Sequence, residues 1–304
     1  MFELVFLGTS ASAPSVQRGL PAQIIKHNEH RFLVDCGEGT QRQILQSGLG
    51  FRKLNRLLVT HGHLDHILGI GGLVSTYLRW EAIDKLDIYA GQSALERIHD
   101  LLFRVVIRGA KAPFPINLIT VTSGVIIEEN DLTIEAFPVS HRGPDCYGYI
   151  FQESSHRPFL AEKAEALGIP QGPWRRDLVQ GLPTSLPDGR VVQPEDVMGE
   201  IEAGTKLVII GDTGDIESVL PYCMNADGLV IEGTYMNPEK DMAREFGHLT
   251  ALEAATLAAN AKIDQLYLTH ISRRYRVKDV EKEAREVFPN TTIVHDFDQY
   301  TIKK

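Results

Sequence analysis

Three histidines and an aspartate stand within six consecutive positions, in the pattern H-x-H-x-D-H. The chain has eleven histidines in 304 residues, so chance would produce this pattern in roughly one chain in a thousand. Neutral imidazole and carboxylate are preferred ligands of zinc and of its neighbours in the transition series. The pattern therefore predicts a metal site, formed by His61, His63, Asp65 and His66.

The segments on either side of this cluster predict its place in a sheet. Residues 56–60, RLLVT, have the apolar and β-branched character of a buried strand, and residues 67–78, ILGIGGLVSTYL, have that of an apolar helix. The cluster thus follows the carboxyl end of a strand, where open α/β sheets bind their ligands. The first two histidines can point the same way from an extended segment, whereas the aspartate and the last histidine lie beyond the bend. This arrangement suits two adjacent ions better than one.

Strands and helices alternate through both halves of the chain, which predicts two sheets packed face to face with helices outside, a four-layer αββα sandwich. Three further candidate ligands, His141, Asp212 and His270, each follow an apolar run with β character. One rim of a sandwich collects strand ends, so these side chains are expected to join the cluster. The predicted strands are 2–7, 23–26, 31–35, 56–60, 86–91, 118–121, 132–137, 148–151, 206–213, 228–235, 265–270 and 291–297, and the predicted helices include 38–47, 67–78, 95–106, 216–224, 250–261 and 277–287.

Composition and charge limit the class of protein. A hydrophobic content of 43% and a charged content of 23% are those of a soluble globular chain. No apolar run is long enough for a transmembrane helix, the N-terminal residues lack a signal peptide, and the three cysteines are far apart and unpaired in pattern. These features predict a cytoplasmic protein with no membrane partner. The formal net charge of −9 argues against a nucleic-acid partner unless a local basic patch overrides it.

One segment of the chain has the composition of a basic patch, and another has that of an inserted binding arm. Residues 271–279, ISRRYRVKD, carry four cationic side chains directly after His270; a solvated loop is the alternative reading. Residues 152–204 are rich in proline and glycine, with one short amphipathic helix at 161–167. We predict a single domain, residues 1–304, in which residues 152–204 are an inserted, flexible arm.

These motifs carry a family resemblance. H-x-H-x-D-H followed by a distant His, Asp and His resembles the ligand order of the metallo-β-lactamase fold, whose members hold one or two zinc ions at the rim of an αββα sandwich. Within that superfamily the sequence closely resembles the ribonuclease Z family, endonucleases that remove the 3′ trailer from precursor tRNA. The resemblance runs along the whole chain, in FLGTSASAP, FLVDCGEGTQRQ, THGHLDH, GIPQGPW, GDT, EGTY, GHLTA and LTHISRRY.

The resemblance implies two zinc ions per subunit, with Mn²⁺ or another divalent ion as an alternative. A bridging carboxylate would offset the repulsion between two cations, and two metals can stabilise the attacking and the leaving oxygen in phosphoryl transfer. Hydroxide attack on the phosphodiester would leave a 3′-OH on the tRNA and a 5′-phosphate on the trailer. The implied ligands are His61, His63 and His141 for one ion, Asp65, His66 and His270 for the other, and Asp212 for both.

The resemblance also implies catalytic groups beside the metals. Asp65 would orient the attacking water and take up its proton. The leaving 3′ oxygen needs a proton, and His248 in GHLTA matches the family's catalytic histidine. Glu232 in EGTY matches the glutamate that orients it.

Residues that contact the RNA are implied in three places. Ser272, Arg273 and Arg274 would bind phosphate near the cut, since the arginine fork matches phosphate oxygens. The family's loop P-x-K-x-R-N appears here as PSVQRG, so that Arg18 remains while the lysine and the asparagine are missing. The arm, with its Gly172-Pro173 turn, resembles the exosite that grips the elbow of tRNA, and it implies a homodimer in which one subunit holds the tRNA that the other cuts.

Two other functions remain compatible with these residues. One is hydrolysis of a small phosphodiester, a sulfate ester or a lactone on the same fold, although such an enzyme has no need of an arm. The other is an RNA-binding module with a vestigial site, but the seven intact candidate ligands argue against it. Tests with precursor tRNA and with a small phosphodiester separate the three.

Overall fold

Two seven-stranded mixed sheets form the larger part of the chain. The computed structural model describes residues 1–304 and contains two units, of which one comprises residues 1–152 and 205–304 and the other residues 153–204. We call them the sheet unit and the inserted unit. Both seven-stranded sheets belong to the sheet unit.

The first sheet has the strand order β16-β1-β2-β3-β4-β5-β6, with strands numbered along the chain. Strands β16, β1, β2 and β3 pair antiparallel, and β3 to β6 pair parallel. The parallel part aligns the carboxyl ends of neighbouring strands at one edge. The strands are β1 Phe2–Gly8, β2 Ala22–His27, β3 His30–Val34, β4 Arg56–Leu58, β5 Leu86–Ala90, β6 Ile116–Thr120 and β16 Gln299–Ile302.

The second sheet has the order β15-β14-β13-β12-β9-β8-β7. Strands β12 to β15 pair parallel, and β9 pairs antiparallel with β12. The loops that follow these parallel strands therefore meet at one edge of this sheet as well. The strands are β7 Gly124–Glu128, β8 Leu132–Pro138, β9 Tyr147–Glu153, β12 Lys206–Ile209, β13 Gly228–Glu232, β14 Leu266–Thr269 and β15 Thr291–Ile293.

Strand β1 shows why these segments form buried strands. Phe2, Leu4 and Phe6 face the core between the sheets, whereas Val5 and Leu7 face the core under the helices. Both faces are buried, which explains the nearly continuous apolar run rather than an alternation of polar and apolar residues. A one-residue slip would exchange the two sets, so the register is well determined.

Helices cover the outer face of each sheet. One outer core packs the first sheet against the helices of the N-terminal half, and another packs the second sheet against those of the C-terminal half. With the core between the sheets, this is the predicted four-layer αββα arrangement. The helices of the sheet unit are α1 Thr40–Gln46, α2 Leu64–Ile67, α3 Gly69–Trp80, α4 Gln92–His99 with a π-helical continuation Asp100–Ile107, α8 Leu220–Cys223, a 3₁₀ turn Asn237–Glu239, α9 Lys240–Phe246, α10 Ala251–Ala261 and α11 Val277–Arg285.

Several elements differ from the sequence-based expectation. The helix predicted at 216–224 is only α8, because Asp215 accepts hydrogen bonds from the backbone of residues 217 and 218 in a turn, and Pro221 fits only the first turn of a helix. Helix α9 and edge strand β16 have no counterpart among the predicted elements, and neither has edge strand β7. Four of its five residues are exposed or half-exposed at the sheet edge, so its apolar signal is weak.

The inserted unit has a small core of its own. Its elements are short, and its apolar side chains include Leu178 and Trp174, which pack together with aliphatic neighbours. None of the helices in the chain has the length and apolar content that a membrane span requires. The elements of the inserted unit are α5 Ala161–Ala166, α6 Pro173–Val179, β10 Thr184–Ser185, β11 Val191–Val192 and α7 Pro194–Val197.

Candidate metal centre

The side chains predicted as ligands converge at one edge of the sheet unit. Two histidines lie in the loop after β4, and an aspartate and a histidine lie in α2. The others follow β8, β12 and β14. Their donor atoms form two groups, each within 4.8 Å: His61, His63, His141 and Asp212 in one, and Asp65, His66 and His270 in the other.

Asp212 is at the centre of the cluster, and its side chain is 2% exposed. Its Oδ2 lies 3.6 Å from Nε2 of His61, 3.5 Å from Nε2 of His66 and 3.7 Å from Nε2 of His141. Its Oδ1 lies 3.4 Å from Nε2 of His270. One carboxylate therefore faces ring nitrogens from both groups.

The other ring nitrogen of each of two histidines is held by an acceptor. Nδ1 of His66 lies 2.8 Å from Oδ2 of Asp35, and Nδ1 of His141 lies 2.7 Å from the carbonyl oxygen of Gly247. A carboxylate and a carbonyl only accept, so Nδ1 of each ring donates. Nε2 of each neutral ring then keeps its lone pair and turns it toward Asp212.

Two threonines fix the rings of His61 and His270 in the same way. Thr60 donates its hydroxyl proton to Asp35, and its oxygen lies 3.1 Å from Nδ1 of His61. Thr234 donates to Glu232, and its oxygen lies 2.8 Å from Nδ1 of His270. Each hydroxyl has used its proton, so it accepts from the ring, and Nε2 again keeps a lone pair.

This arrangement fits a divalent cation. Three buried atoms in the cluster have no hydrogen-bond partner: Nε2 of His66, Nε2 of His270 and Oδ1 of Asp212. Where no proton lies between them, the lone pair of a ring nitrogen and the carboxylate oxygen that it faces repel each other. Buried polar atoms are also rarely left without a hydrogen-bond partner. A cation between the ring nitrogens and the carboxylate would remove the repulsion and give the unpaired atoms a partner. In metal sites, the second ring nitrogen of a ligating histidine usually donates a hydrogen bond, as it does here.

The protonation states agree with ligand roles for most of the cluster. Burial lowers the pKa of His61, His63 and His141, so these rings are neutral near pH 7. Burial opposes the charge of Asp212, but the neighbouring histidines His270 and His66 hold the pKa of its carboxyl well below its usual range.

Neighbouring charges shift the pKa values of Asp65 and His66 in opposite directions. Burial opposes ionisation of Asp65, but the neighbouring histidines His270 and His66 lower the pKa of its carboxyl. Burial would likewise lower the pKa of His66, yet Asp212 and Asp35 raise it well above its ordinary value. Metal binding through Nε2 of His66 would therefore have to release a proton from that ring.

His248 lies beside the cluster with its own carboxylate. Its Nδ1 lies 3.0 Å and 3.1 Å from the two carboxylate oxygens of Glu232, which is fully buried. Burial would lower the pKa of His248, but the charge and hydrogen bond of Glu232 raise it to about 9. Nδ1 also lies 3.9 Å from Oδ2 of Asp212. The donor atoms of His248, Asp212 and His270 also lie within 4.8 Å of one another, so this ring is close enough to the cluster to act either as a ligand or as a proton donor.

Arg18 lies differently from its predicted role. Its side chain is 9% exposed, and its Nη1 donates to Thr9 at 2.5 Å and to the carbonyl oxygen of Val294 at 2.6 Å. The guanidinium is thus turned inward and holds the PSVQRG loop against the C-terminal segment. The guanidinium therefore does not extend to the surface, and phosphate binding by Arg18 stays a prediction.

The other predicted RNA contacts lie at exposed positions. Arg273 and Arg274 are exposed after β14, and Ser272 is half-buried. Arg274 lies 3.5 Å from Glu239, whereas Arg273 has no carboxylate partner. In the inserted unit, Gly172 has a φ of 107°, which favours glycine, and the following proline begins α6.

Sequence reasoning missed the residues that orient the imidazoles. Asp35, Thr60 and Thr234 stand inside the motifs FLVDCGEGTQRQ, THGHLDH and EGTY, but only their contacts reveal what they do. The position of Asp35 just after an apolar strand was the available signal.

Comparisons with known proteins identify close relatives along the whole chain. A family model described as "Anti-Pycsar protein Apyc1" matches residues 2–159. Ribonuclease Z of Bradyrhizobium diazoefficiens is 45% identical over 302 residues, which cover 99% of this chain and 100% of the relative. The crystal structure of human tRNase Z, short form, has a TM-score of 0.69 at 23% identity and covers 99% of both chains.

The fold is shared more widely than the sequence. The metallo-β-lactamase fold protein YhfI of Bacillus subtilis has a TM-score of 0.69 at 18% identity, with 98% of each chain covered. At such low identity the likeness shows the fold alone, and it confirms the predicted metallo-β-lactamase sandwich.

Proposed function

Because the chain belongs to the ribonuclease Z family, we propose that it is a metal-dependent endoribonuclease that removes the 3′ trailer from precursor tRNA. The observation that carries the proposal is the buried cluster of ring nitrogens around Asp212, with the His248–Glu232 pair beside it. A hydrolase of this kind needs metal ligands and a proton donor together.

The cofactor we propose is a pair of zinc ions in each subunit, and Mn²⁺ or another divalent ion is the alternative. When bound, the ions would supply positive charge to the phosphate oxygens and acidify water. Three histidines would hold one ion and a mixed set the other, as the two groups of donor atoms suggest. The ligands would be His61, His63 and His141 for one ion, Asp65, His66 and His270 for the other, and Asp212 for both.

The protein's own residues would move the protons. As water attacks the phosphorus and the bond to the 3′ oxygen of the tRNA body breaks, Asp65 takes up the proton of the water. Its Oδ2 accepts a hydrogen bond from the backbone of Ser12 at 3.1 Å, which orients the carboxylate. His248, protonated near pH 7 because its pKa is raised to about 9, donates a proton to the leaving oxygen. Glu232 keeps that ring oriented.

The inserted unit is proposed as the exosite for the elbow of tRNA. Its exposed Gly172-Pro173 turn and the exposed Arg176 on α6 offer backbone and charge for such contact. Arg175, in contrast, donates to the carbonyl oxygen of Ile169 and is structural. We further propose a cytoplasmic homodimer, in which one subunit would hold the tRNA that its partner cuts; light scattering with and without tRNA measures the mass.

The test of the function uses purified, zinc-loaded protein and a precursor tRNA with a 3′ trailer. Both product ends are mapped, and a chelated sample and the His248→Ala variant serve as controls. We expect one metal-dependent cut near the discriminator base, with a 3′-OH on the tRNA and a 5′-phosphate on the trailer. An uncut precursor, with bis(p-nitrophenyl) phosphate still hydrolysed, would mean that the substrate is a small phosphodiester instead.

A further inference from the structure

A cavity of about 100 Å³ lies beside the metal centre and contains two arginines that no motif indicated. It is lined by His61, His63, Arg97 and Arg142 among other residues. Both arginines are exposed, and neither forms an ion pair with a carboxylate. In a chain with a formal net charge of −9, two unpaired cations next to candidate ligands call for an anionic partner.

Close packing of α4 positions Arg97. A Cβ atom on Gly62 would lie 3.1 Å from Cα of Ala94, so glycine between the two histidines allows the helix to approach. Arg97 stands three residues after Ala94 on the same face of α4. Its Nη1 donates to the carbonyl oxygen of Gly62 at 3.0 Å, which fixes the guanidinium next to His61 and His63.

The segment before His248 positions Arg142. The guanidinium carbon of Arg142 lies 5.6 Å from the centre of the Phe246 ring, a cation–π contact. Gly247 has a φ of 70°, and a Cβ atom there would lie 2.9 Å from Cγ of Arg142. The same glycine accepts the hydrogen bond of His141. One short segment therefore orients both a candidate ligand and the arginine next to it.

The two arginines lie on the opposite half of the cluster from Arg273 and Arg274. Arg142 follows His141, and Arg97 contacts the loop between His61 and His63, whereas the other pair follows His270 in the second ligand group. An RNA strand has phosphates on both sides of the bond that is cut, but a small phosphodiester has only one phosphate, which the metal centre itself would take.

We propose that Arg97 and Arg142 form a phosphate-binding subsite that holds a backbone phosphate of the RNA next to the scissile one; this rests on the proposed function. The subsite adds positive charge on the half of the cluster opposite Arg273 and Arg274. The subsite makes the enzyme favour a polynucleotide over a small ester, because its guanidinium groups bind a second phosphate, which a small ester lacks.

The test compares Arg97→Gln combined with Arg142→Gln against a double variant with the same change of charge, Arg79→Gln with Arg108→Gln. The control arginines are exposed, lie outside the cavity and have no ion pair. KM and kcat are measured for precursor tRNA and for bis(p-nitrophenyl) phosphate, and the affinity for precursor tRNA is measured with chelated protein. Melting temperatures verify folding.

We expect the KM for precursor tRNA to rise roughly tenfold relative to the KM for the small ester. The slope of log affinity for the RNA against log salt should fall by about 0.7 for each phosphate that the variant no longer binds. Equal RNA values in both double variants would overturn the subsite, and so would a parallel loss on both substrates, since that indicates a packing role. If the wild type binds precursor tRNA without cutting it, the proposed function is wrong, but the affinities of the two double variants still test the subsite. If the wild type binds no precursor tRNA, both the proposed function and the subsite are wrong.

Discussion

Asp35 shows how much the chemistry of a residue depends on what orients it. It accepts from Thr60 and from Nδ1 of His66, and its φ of 57° lies in the left-handed region. This conformation turns the carboxylate toward the ligand loop. Without it, His66 would lose the partner that fixes which ring nitrogen faces Asp212.

The Asp35→Asn variant should therefore weaken metal binding by roughly 10–100-fold. Asparagine tolerates the left-handed conformation, so the fold should survive. The dissociation constant for zinc is measured by competition with a chelating dye, and added zinc should restore activity. Asp84→Asn, at an exposed position, is the control. An unchanged zinc affinity would contradict the orienting role of Asp35.

His248 is expected to affect turnover and not metal content. The His248→Ala variant should lower kcat on precursor tRNA by roughly 10²–10⁴-fold, the usual contribution of a general acid. The loss should be much smaller with bis(p-nitrophenyl) phosphate, because nitrophenolate leaves without a proton. Elemental analysis should find wild-type zinc, as in a His99→Ala control. Zinc loss in His248→Ala would identify it as a ligand.

Asp212 should behave in the opposite way. Its carboxylate faces four ring nitrogens, so the Asp212→Ala variant should lose metal and activity together, down to the level of the chelated wild type. Metal content and precursor cleavage are measured on the same preparation. Full zinc occupancy in this variant would rule out a bridging role.

At the scale of elements, strand ends explain why the site forms where it does. Parallel strands β12, β13 and β14 deliver Asp212, Glu232 and His270 to the same edge. The apolar pattern of each of these strands is a local property of the sequence, so their existence and their approximate position along the chain could be predicted. The edge strand β7 and the proline-limited helix α8 could not, because an exposed edge leaves little apolar pattern and a short helix leaves little periodicity.

Deletion of residues 153–204 tests the inserted unit as an RNA-binding element. Gln152 and Lys206 are paired in the adjacent antiparallel strands β9 and β12, so a short glycine turn can close the gap. The deletion should abolish tRNA binding while hydrolysis of bis(p-nitrophenyl) phosphate persists, because all seven candidate ligands lie in the sheet unit. A filter-binding assay measures the first and absorbance the second. An unchanged tRNA affinity would refute the exosite.

At the scale of the whole molecule, the metal should stabilise the fold. The candidate ligands join the ends of strands from both sheets, and Nε2 of His270 and Oδ1 of Asp212 have no hydrogen-bond partner there. A ligand that binds only the folded state contributes about 2.7 kcal/mol at a free concentration of about 100 times its dissociation constant.

Removal of zinc should thus lower the melting temperature by several degrees, with each kcal/mol worth about 2–4 °C in a chain of this size class. Differential scanning calorimetry of zinc-loaded and chelated protein measures the difference. The Asp212→Ala variant should show no response to zinc. If the wild type also showed none, the cluster would not hold a metal under these conditions.

The sequence by itself determined the donor types, their order and their location after strands, because ligand chemistry and strand periodicity are local properties. It also determined the αββα layers, since alternation of elements limits how apolar faces can be buried. The tertiary structure alone decided which atom of each side chain faces the centre. Arg18 meets Val294 and His141 meets Gly247 across more than a hundred residues, and Arg97 and Arg142 lie by one cavity. Such contacts come from packing between distant segments, which local periodicity does not encode.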